Sequence, residues 1–287
     1  MVFAVVITVA LICVFSFAAA LFQSKGQTRE SVDDEILREK ILACLPGENC
    51  GACNCDDCAA LALKIAEGKA RFDACPTGGA VCAQSIALIL GEKEKIKPRM
   101  RAQVMCSGTS DKVRKKYIYD TDSGVSDCLA AIKLGGGDKG CKYACVGMGT
   151  CEKACPYKAI SVKNGIARVD AAKCTGCGIC VRICPKHTIK LIPYNAKCWV
   201  GCMSREKENK AKFNCGVGCI GCGECERVCP SDAIKIKNNL AEIDYSLCTA
   251  CGRCFNACPE GIIWRSGDMS IGMGNQVFVR GRRKEYH

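Results

Sequence analysis

The chain has 287 residues, of which 29 are cysteine, and this length suits two or three small domains rather than one large core. Many of the cysteines follow one another at the short intervals typical of metal ligands. This excludes a disulfide-stapled secreted scaffold and indicates reduced thiols in a cytoplasmic environment. Lys and Arg outnumber Asp and Glu by 41 to 29, and the net charge of +12 taken alone leaves nucleic-acid binding open.

The first predicted element is an uncharged apolar segment, Met1–Phe22. It is long enough to cross the ~30 Å hydrocarbon core of a bilayer as a helix, so we predict a transmembrane anchor over residues 1–24. No Lys or Arg precedes the segment, which argues against a cleaved signal peptide. Lys25 and Arg29 follow it, and under the positive-inside rule they place the bulk of the chain on the cytoplasmic side.

Residues 25–92 are predicted to form a small helical domain around a metal site. Apolar residues at helical spacing predict three helices: Asp33–Leu45, Ala59–Glu67 and Val81–Leu90. Four cysteines between these helices can enclose a [4Fe–4S] cluster: Cys50, Cys53, Cys58 and Cys75. Of the other cysteines nearby, Cys55 could replace a ligand, whereas Cys82 is more typical of an apolar core.

Residues 93–127 are predicted to be a linker that carries one short strand. The linker begins with a basic stretch, and a second basic run covers Lys112–Lys116. Such charge runs usually form a solvated surface. Cys106 follows the strand predicted at Val104-Met105.

The rest of the chain contains an internal repeat with a constant offset of 74 residues. The offset relates every cysteine from Cys128 to Cys184 to a cysteine between Cys202 and Cys258. In each unit a predicted β-hairpin separates two cysteine runs, and the first hairpin turns at Asn164-Gly165. The repeat predicts two tandem ferredoxin-like α+β modules, over residues 128–197 and 198–265.

The second module carries two complete runs of the form C-x2-C-x2-C-x3-C-P. This is the bacterial ferredoxin pattern for two [4Fe–4S] clusters, in which the fourth cysteine of each run ligates the cluster of the other run. The predicted ligand sets are Cys219, Cys222, Cys225 and Cys258 for one cluster, and Cys248, Cys251, Cys254 and Cys229 for its partner. A pair of zinc sites is the alternative, but zinc gives no reason for the third cysteine of each run or for the Cys-Pro pairs.

The first module repeats this pattern with one exception. One of its clusters is predicted to take Cys174, Cys177, Cys180 and Cys155. In the other run Met148 stands where the second module has Cys222, so three thiolates remain for that cluster: Cys145, Cys151 and Cys184. Cys141 is the favoured replacement, and a [3Fe–4S] cluster with an empty corner is the alternative.

Five more cysteines stand outside the runs of the two modules: Cys106, Cys128, Cys198, Cys202 and Cys215. Cys141 belongs with them if it does not replace the thiolate missing at Met148. They are enough for a further cluster, but spacing does not say which four would meet, and unused core thiols are the alternative. At least five [4Fe–4S] clusters are therefore expected. Five clusters with their thiolates carry about ten negative charges, which offset most of the positive charge and remove the argument for nucleic acid.

No catalytic constellation is found in the sequence. The basic tail, residues 266–287, is predicted to be peripheral, and Gly135-Gly136-Gly137 lacks the G-K-S/T that completes a phosphate loop. No Ser–His–Asp set, carboxylate pair or dinucleotide fingerprint occurs. We therefore predict no catalytic residues and a chain that only transfers electrons.

Several features together resemble a known family. The motif L-P-G-x-N-C-G-x-C at Leu45–Cys53 and the later Cys75-Pro76-Thr77-Gly78-Gly79 follow a predicted membrane helix and precede ferredoxin repeats. This order is similar to that of the B-type subunit of the Rnf complex, in the long form with two double-cluster modules. The resemblance covers nearly the whole chain.

The resemblance implies an electron-transfer subunit of an ion-translocating ferredoxin:NAD oxidoreductase, a single-pass protein of the cell membrane with its bulk on the cytoplasmic side. The implied partners are a soluble ferredoxin and the other subunits of the complex, including the NAD-binding and membrane subunits. The transported ion would be Na+ or H+. Two alternatives are a ferredoxin-type subunit of another membrane oxidoreductase and, in a different class, a zinc-ribbon protein that binds nucleic acid.

Overall fold

The computed structural model describes residues 33–93, 95–118 and 125–266, together with the backbone of 271–272 and 275–276. The chain divides into two compact units, Met1–Lys97 and Pro98–His287. The predicted anchor over residues 1–24 and most of the predicted tail lie outside the described residues. Within the part that is described, no helix combines the length and the apolar character needed to cross a membrane.

The first unit contains the three predicted helices: 33–44 (α1), Cys58–Ala66 (α2) and Gly79–Leu90 (α3). Asp57 begins α2 by accepting a hydrogen bond from the Ala60 amide at 2.7 Å, and a side-chain cap of this kind is worth ~1 kcal/mol. Fully buried residues from all three helices form the core: Ile41, Leu61 and Ile86. The helices therefore hold the intervening loops, which carry the cysteines, close to one another.

The second unit consists of two modules of short helices and strands. The first contains β1 (Met100–Val104), α4 (Cys128–Lys133), α5 (Thr150–Lys153), β2 (Ile160–Lys163), β3 (Ile166–Val169), α6 (Ile179–Ile183) and β4 (Ile189–Pro193). The second contains β5 (Cys198–Val200), α7 (Glu208–Asn214), α8 (Glu224–Arg227), β6 (Ile234–Lys237), β7 (Leu240–Ile243), α9 (Arg253–Ala257) and β8 (Ile263–Arg265). A short pair follows, β9 (Ile271–Gly272) and β10 (Asn275–Gln276). This mixture of helices and strands confirms the predicted α+β class.

Each module is built on an antiparallel hairpin, β2–β3 in the first and β6–β7 in the second, as predicted. Ile160 pairs with Val169, and Ile234 pairs with Ile243, so the two hairpins have the same register. The first hairpin turns at Asn164-Gly165, where both φ angles are positive, as a two-residue type I′ turn requires. The buried faces of both hairpins pack against the cysteine-bearing helices.

A second strand pair closes each module, β1 with β4 and β5 with β8. Val104 pairs with Ile189, and Val200 pairs with Ile263. Since Ile189 and Ile263 are equivalent under the offset of 74, Val104 and Val200 are equivalent as well, although 96 residues separate them. The first module therefore has a longer connection between its first strand and its cysteine run, and β1 is part of that module's sheet.

The two modules contact each other through the connection that follows β1. The Trp264 indole N–H donates to Ser107 Oγ at 2.9 Å, and the Ser107 hydroxyl donates to Gly201 O at 2.9 Å. Met105 and Trp199, one from each module, are buried in a common apolar cluster. These contacts fix the position of the first module's cysteines relative to those of the second.

Candidate iron–sulfur centres

Cysteines from both runs of the second module meet at an apolar cavity of about 310 Å³. The thiols that line it are those of Cys219, Cys222, Cys225 and Cys258, and the walls include Ile236, Ile262 and Ile263. Cys225 lies in α8, and Cys258 follows α9 just before Pro259, where the chain cannot continue as helix. The cavity thus combines three thiols of one run with the fourth thiol of the other, as cross-ligation requires.

A second cavity of this module, about 330 Å³, is lined by five thiols: Cys198, Cys229, Cys248, Cys251 and Cys254. The Ala233 amide donates to Cys229 Sγ at 3.3 Å. Cys198 lies on β5, and its hydrogen bond with Cys254 lowers the pKa of Cys198 and raises that of Cys254. Four thiolates complete a [4Fe–4S] cluster, so this cavity has one thiol more than a cluster needs.

The first module has a corresponding cavity of about 320 Å³, lined by Cys155, Cys174, Cys177 and Cys180. The amides of Ala159 and Ala102 donate to the sulfurs of Cys155 and Cys174 at 3.4 and 3.3 Å. Under the offset of 74, the contact from Ala159 to Cys155 is the same as the one from Ala233 to Cys229. Both modules therefore supply N–H donors to a sulfur at the same position.

The thiols near Met148 are arranged differently from our expectation. Burial raises the pKa of the Cys151 thiol to about 12, and neighbouring thiols add to the shift: those of Cys145, Cys128, Cys184 and Cys180. Cys128 is the first residue of α4, and its amide donates to Thr150 Oγ1 at 2.8 Å, next to Cys151 in the chain. Met148 packs against the same apolar cluster as Cys128. The Cys128 thiol thus lies beside the position that lacks its usual thiolate.

Cys141, which we expected at that position, lines a different cavity. The Gly140 amide donates to Arg114 O at 2.7 Å, and Lys139 forms an antiparallel bridge with Lys115. The segment before Cys141 therefore runs along the connection that follows β1. This pairing directs Cys141 to a cavity of about 380 Å³ between the modules, lined by four thiols: Cys106, Cys141, Cys202 and Cys215.

In the first unit, Cys75 is surrounded by sulfur and amide groups. The Gly78 amide donates to Cys75 Sγ at 3.3 Å, and Thr77 Oγ1 lies 3.5 Å from Cys50 Sγ. A hydrogen bond between Cys75 and Cys82 lowers the pKa of Cys75 to about 6 and raises that of Cys82. A methyl group on Gly78 would lie 2.7 Å from Cys82 Sγ and 3.4 Å from Cys75 Sγ. Only glycine at this position lets the Cys82 sulfur lie so close to the backbone. Cys82 is buried, as predicted, and it also contacts an expected ligand.

The other expected ligands of this unit lie on the loop before α2 and at its first residue. The Cys58 amide donates to Asn49 Oδ1 at 2.8 Å. Cys53 and Cys55 are neighbours, since the Cys55 thiol donates to Cys53 O at 4.0 Å. Burial raises the pKa of Cys53, and the nearby Cys55 contributes to the shift.

The donors of these cavities fit an iron–sulfur cluster, which takes thiolates and is adjusted by hydrogen bonds to sulfur and by burial. Burial raises the pKa of the Cys180 and Cys225 thiols to about 12, so iron has to displace their protons on binding. Among the described residues, no three His, Cys, Asp or Glu side chains are close enough to hold one metal ion. A bound cluster supplies one-electron transfer, while the protein holds it and keeps water away.

One equivalence between the modules does not follow the offset of 74. The Cys145 amide donates to Cys106 Sγ at 3.5 Å, and the Cys219 amide donates to Cys202 Sγ at 3.3 Å. Cys106 and Cys202 therefore occupy the same place in their modules, whereas the offset of 74 pairs Cys202 with Cys128. The signal that could have revealed this is a second offset of 96 residues, which relates the strands before the cysteine runs.

Two family models match parts of the chain. The 4Fe-4S dicluster domain family matches residues 144–188 and 218–262, and the family described as "Putative Fe-S cluster" matches residues 45–77. Each module thus contains one dicluster match, which spans both of its cysteine runs. The four thiols of the cavity between the modules lie outside all of these matches.

Relatives extend the similarity to most of the chain. The B-type subunit of the Na(+)-translocating ferredoxin:NAD(+) oxidoreductase complex of Acetobacterium woodii is 39% identical over 72% of this chain. The matched region covers 62% of that protein's length. The proton-translocating counterpart from Clostridium ljungdahlii is 42% identical over 71% of this chain and 72% of its own. The B-type subunit of the ion-translocating oxidoreductase complex of Methanosarcina acetivorans is 36% identical over 84% of this chain and 91% of its own. The chain therefore belongs to the family of B-type subunits of the Rnf ion-translocating oxidoreductase complexes.

Proposed function

We propose that this chain is the iron–sulfur electron-transfer subunit of a membrane-associated, ion-translocating ferredoxin:NAD oxidoreductase complex. The observation that carries the proposal is the grouping of thiols at three cavities, where three cysteines of one run meet the fourth cysteine of the other. This is the grouping of a ferredoxin with two [4Fe–4S] clusters. Family membership indicates the kind of complex in which such a subunit acts.

We assign at least five clusters to the chain. The first unit would hold one with Cys50, Cys53, Cys58 and Cys75. The first module would hold two, with Cys128, Cys145, Cys151 and Cys184, and with Cys155, Cys174, Cys177 and Cys180. The second module would hold two, with Cys219, Cys222, Cys225 and Cys258, and with Cys229, Cys248, Cys251 and Cys254. Cys128 takes the place of Cys141 because of its position beside Cys151.

The protein's own part is to position the ligands, exclude water and adjust the reduction potential. Isoleucines of the strands form apolar walls, among them Ile236 and Ile263. The amides of Ala102, Ala159 and Ala233 donate to ligand sulfurs at 3.3 to 3.4 Å. A hydrogen bond to a thiolate stabilises the more negative, reduced state, so each such contact raises the potential of the site.

The partners and location form the second part of the proposal. A soluble ferredoxin would deliver electrons, other subunits would bind NAD and translocate the ion, and residues 1–24 would anchor the chain with its bulk on the cytoplasmic side. The names of two relatives support the ferredoxin and NAD partners. The domains would be residues 25–92, a first module of residues 128–197 that also includes β1 from the 93–127 segment, and residues 198–265, with 266–287 as the tail.

The full chain, purified without oxygen, tests this function. We expect roughly 20 or more irons per chain with a matching amount of sulfide, and bleaching of the visible absorption by enzymatically reduced ferredoxin. Zinc without sulfide would contradict the proposal entirely. Iron–sulfur clusters that dithionite reduces but reduced ferredoxin does not would contradict the ferredoxin partner and favour a subunit of another oxidoreductase.

A further inference from the structure

Four cysteines outside the five proposed ligand sets line the cavity between the two modules: Cys106, Cys141, Cys202 and Cys215. Its volume, about 380 Å³, is similar to the 310, 330 and 320 Å³ of the cavities where the cysteine runs meet. We propose that these four thiolates hold a sixth [4Fe–4S] cluster, which bridges the modules. The inference rests on the proposed function, because it assigns the same cofactor to a further site.

Each module contributes two thiols to this bridging site from equivalent positions. Cys106 Sγ and Cys202 Sγ each accept a hydrogen bond from the amide of the first cysteine in the following run. Cys141 and Cys215 each stand four residues before that same cysteine. The site is therefore a pseudo-symmetric set of four thiols, two from each copy of the duplicated unit. Thiols that only filled space in the core would not need to be retained in both copies and to meet at one cavity.

The backbone holds thiols from different modules next to each other. Val113 forms an antiparallel bridge with Cys215, and the Gly216 amide donates to Lys112 O at 2.8 Å. A methyl group on Gly108 would lie 3.5 Å from Cys215 Sγ and 2.5 Å from a methyl of Val113. The same methyl group would lie 3.7 Å from the sulfur of Cys106. Gly108 thus leaves room for the Val113 side chain where the chain passes close to the sulfurs of Cys106 and Cys215.

A buried cation beside the cavity favours an anionic occupant. Lys139 is only 4% exposed, and its ammonium donates to Gly165 O at 2.6 Å and to Gly108 O at 3.0 Å. Both acceptors are neutral carbonyls, and a buried charge is costly unless an opposite charge compensates it. Gly108, which accepts from this ammonium, lines the cavity together with the four thiols. A cluster held by four thiolates supplies the negative charge.

Two buried carboxylates, Asp138 and Glu206, lie within a few residues of these thiols in the chain, and both already have partners. Asp138 Oδ2 lies 3.4 Å from Lys115 Nζ. Glu206 accepts a hydrogen bond from the Asn214 side chain at 3.0 Å, and Lys210 lies 3.4 Å from its other oxygen. Burial is the main cause of the raised pKa of the Cys141 thiol, and the negative charge of Glu206 adds to the rise. These partners already compensate the carboxylates, so the positive charge of Lys139 still needs a negative charge. A cluster in the cavity would supply it.

The position of the site explains what a bridging cluster would add. Three residues lie between Cys141 and Cys145, and three between Cys215 and Cys219. The four steps along the chain span at most about 14 Å when extended, and they link each bridging ligand to a ligand of the neighbouring cluster. The amide of each neighbouring ligand also donates directly to a sulfur of the bridging set. The bridging site therefore connects the clusters of the first module to those of the second.

Iron analysis of the full chain, purified without oxygen, tests the site. We expect about 24 irons in the wild type and about 20 in a Cys141→Ser/Cys215→Ser variant, with the spectra of the other reduced clusters retained. Val217→Ala is the matched control, because Val217 lines the same cavity but carries no thiol. This control should retain the full iron and sulfide content.

The outcomes separate this inference from the proposed function. About 20 irons in both wild type and double variant, or zinc among these four sulfurs, would overturn the bridging cluster alone. Wild-type protein without iron would contradict the proposed function itself. If the double variant loses all of its clusters by misfolding, anomalous scattering from wild-type crystals decides. Iron density among the four sulfurs then supports the site, and no density there overturns it.

Discussion

The two ferredoxin-like modules have the same strand registers but obtain their thiols differently. Under the offset of 74, both strands of each hairpin align residue by residue, and so does the second strand of each outer pair. At the first run, however, the second module has Cys222, whereas the first has Met148 and brings the Cys128 thiol from α4. The register of a strand is constrained along its whole buried face. A cluster ligand, in contrast, can come from any element whose thiol reaches the cavity.

The modules also differ in how far they shield their second site. Cys174 and Cys180 are buried, whereas their equivalents Cys248 and Cys254 are half-buried, and Cys251 is exposed. Solvent exposure is one of the factors that set the potential of a cluster. The same ligand pattern therefore provides two different environments.

The largest expected effect comes from removing Cys128, the thiol that we assign to the place of the one missing at Met148. Cys128→Ser should convert one cluster of the first module to a [3Fe–4S] form, because three thiolates remain around it. Electron paramagnetic resonance of the oxidised protein measures this directly. Adding Met148→Cys to Cys128→Ser should restore the [4Fe–4S] cluster, since it recreates the complete run of the second module.

Cys141→Ser is the control for this experiment. Any [3Fe–4S] signal in this variant should come from the bridging site, which keeps three thiolates, because Cys141 lines the cavity between the modules. Adding Met148→Cys should leave such a signal unchanged. A [3Fe–4S] signal in Cys141→Ser that Met148→Cys removes would mean that Cys141, and not Cys128, is the missing ligand.

A second contrast lies at an equivalent pair of glycines. Gly147 has φ +82°, and a methyl group there would lie 2.5 Å from the carbonyl carbon of Gly165 and closer still to its oxygen. At the equivalent Gly221, φ is +69° and the nearest atom, Asn239 Cα, would be 3.0 Å away. Gly147→Ala should therefore destabilise the chain by about 2–4 kcal/mol and Gly221→Ala by about 1–2 kcal/mol.

Anaerobic guanidinium unfolding, followed by cluster absorbance, compares the two glycine variants with the wild type. The midpoint should fall further for Gly147→Ala. Equal shifts would show that the hairpin of the first module moves aside to accommodate the methyl group.

Much of this architecture could be predicted from the sequence. The helices of the first unit, the hairpins and the strand before Cys106 follow from local apolar periodicity and from Asn164-Gly165. The grouping of cysteines in the runs follows from the spacing that a cluster imposes on one short loop. These features depend on residues that are close together in the chain.

The sites around Cys128 and Cys141 could not be predicted in this way. Both cysteines lie upstream of a run at equal spacing in the two modules, so spacing alone does not distinguish their roles. The longer connection after β1 distinguishes them. It pairs both with the segment before Cys141 and with the second module, and this places Cys141 at the cavity between the modules. Contacts between segments this distant in the chain leave no periodic signal.

The difference in exposure can be measured by iron release. A strong iron chelator should remove iron several-fold faster from the two clusters of the second module, whose ligands Cys222 and Cys251 are exposed, than from those of the first module. Cys229→Ser, which removes a ligand of the Cys251 cluster, should reduce the amplitude of the fast phase by about half, whereas the equivalent Cys155→Ser should leave it unchanged. An unchanged fast phase in Cys229→Ser would contradict cross-ligation.

The smallest expected effect concerns the fifth thiol of the exposed cavity. Cys198 pairs with Arg265 as Ala102 pairs with Leu191, so the two residues are equivalent, and both are buried. Alanine therefore fits this position, and Cys198→Ala should keep every iron. Once iron holds Cys254 as a thiolate, only the Cys198 thiol can donate between these two sulfurs, and the variant removes this donor. Because a hydrogen bond to a ligand sulfur stabilises the reduced state, the potential of this one cluster should become slightly more negative. A potentiometric titration followed by electron paramagnetic resonance measures the shift. Loss of about four irons would instead make Cys198 a ligand, and the two modules would then differ in ligation at both of their sites.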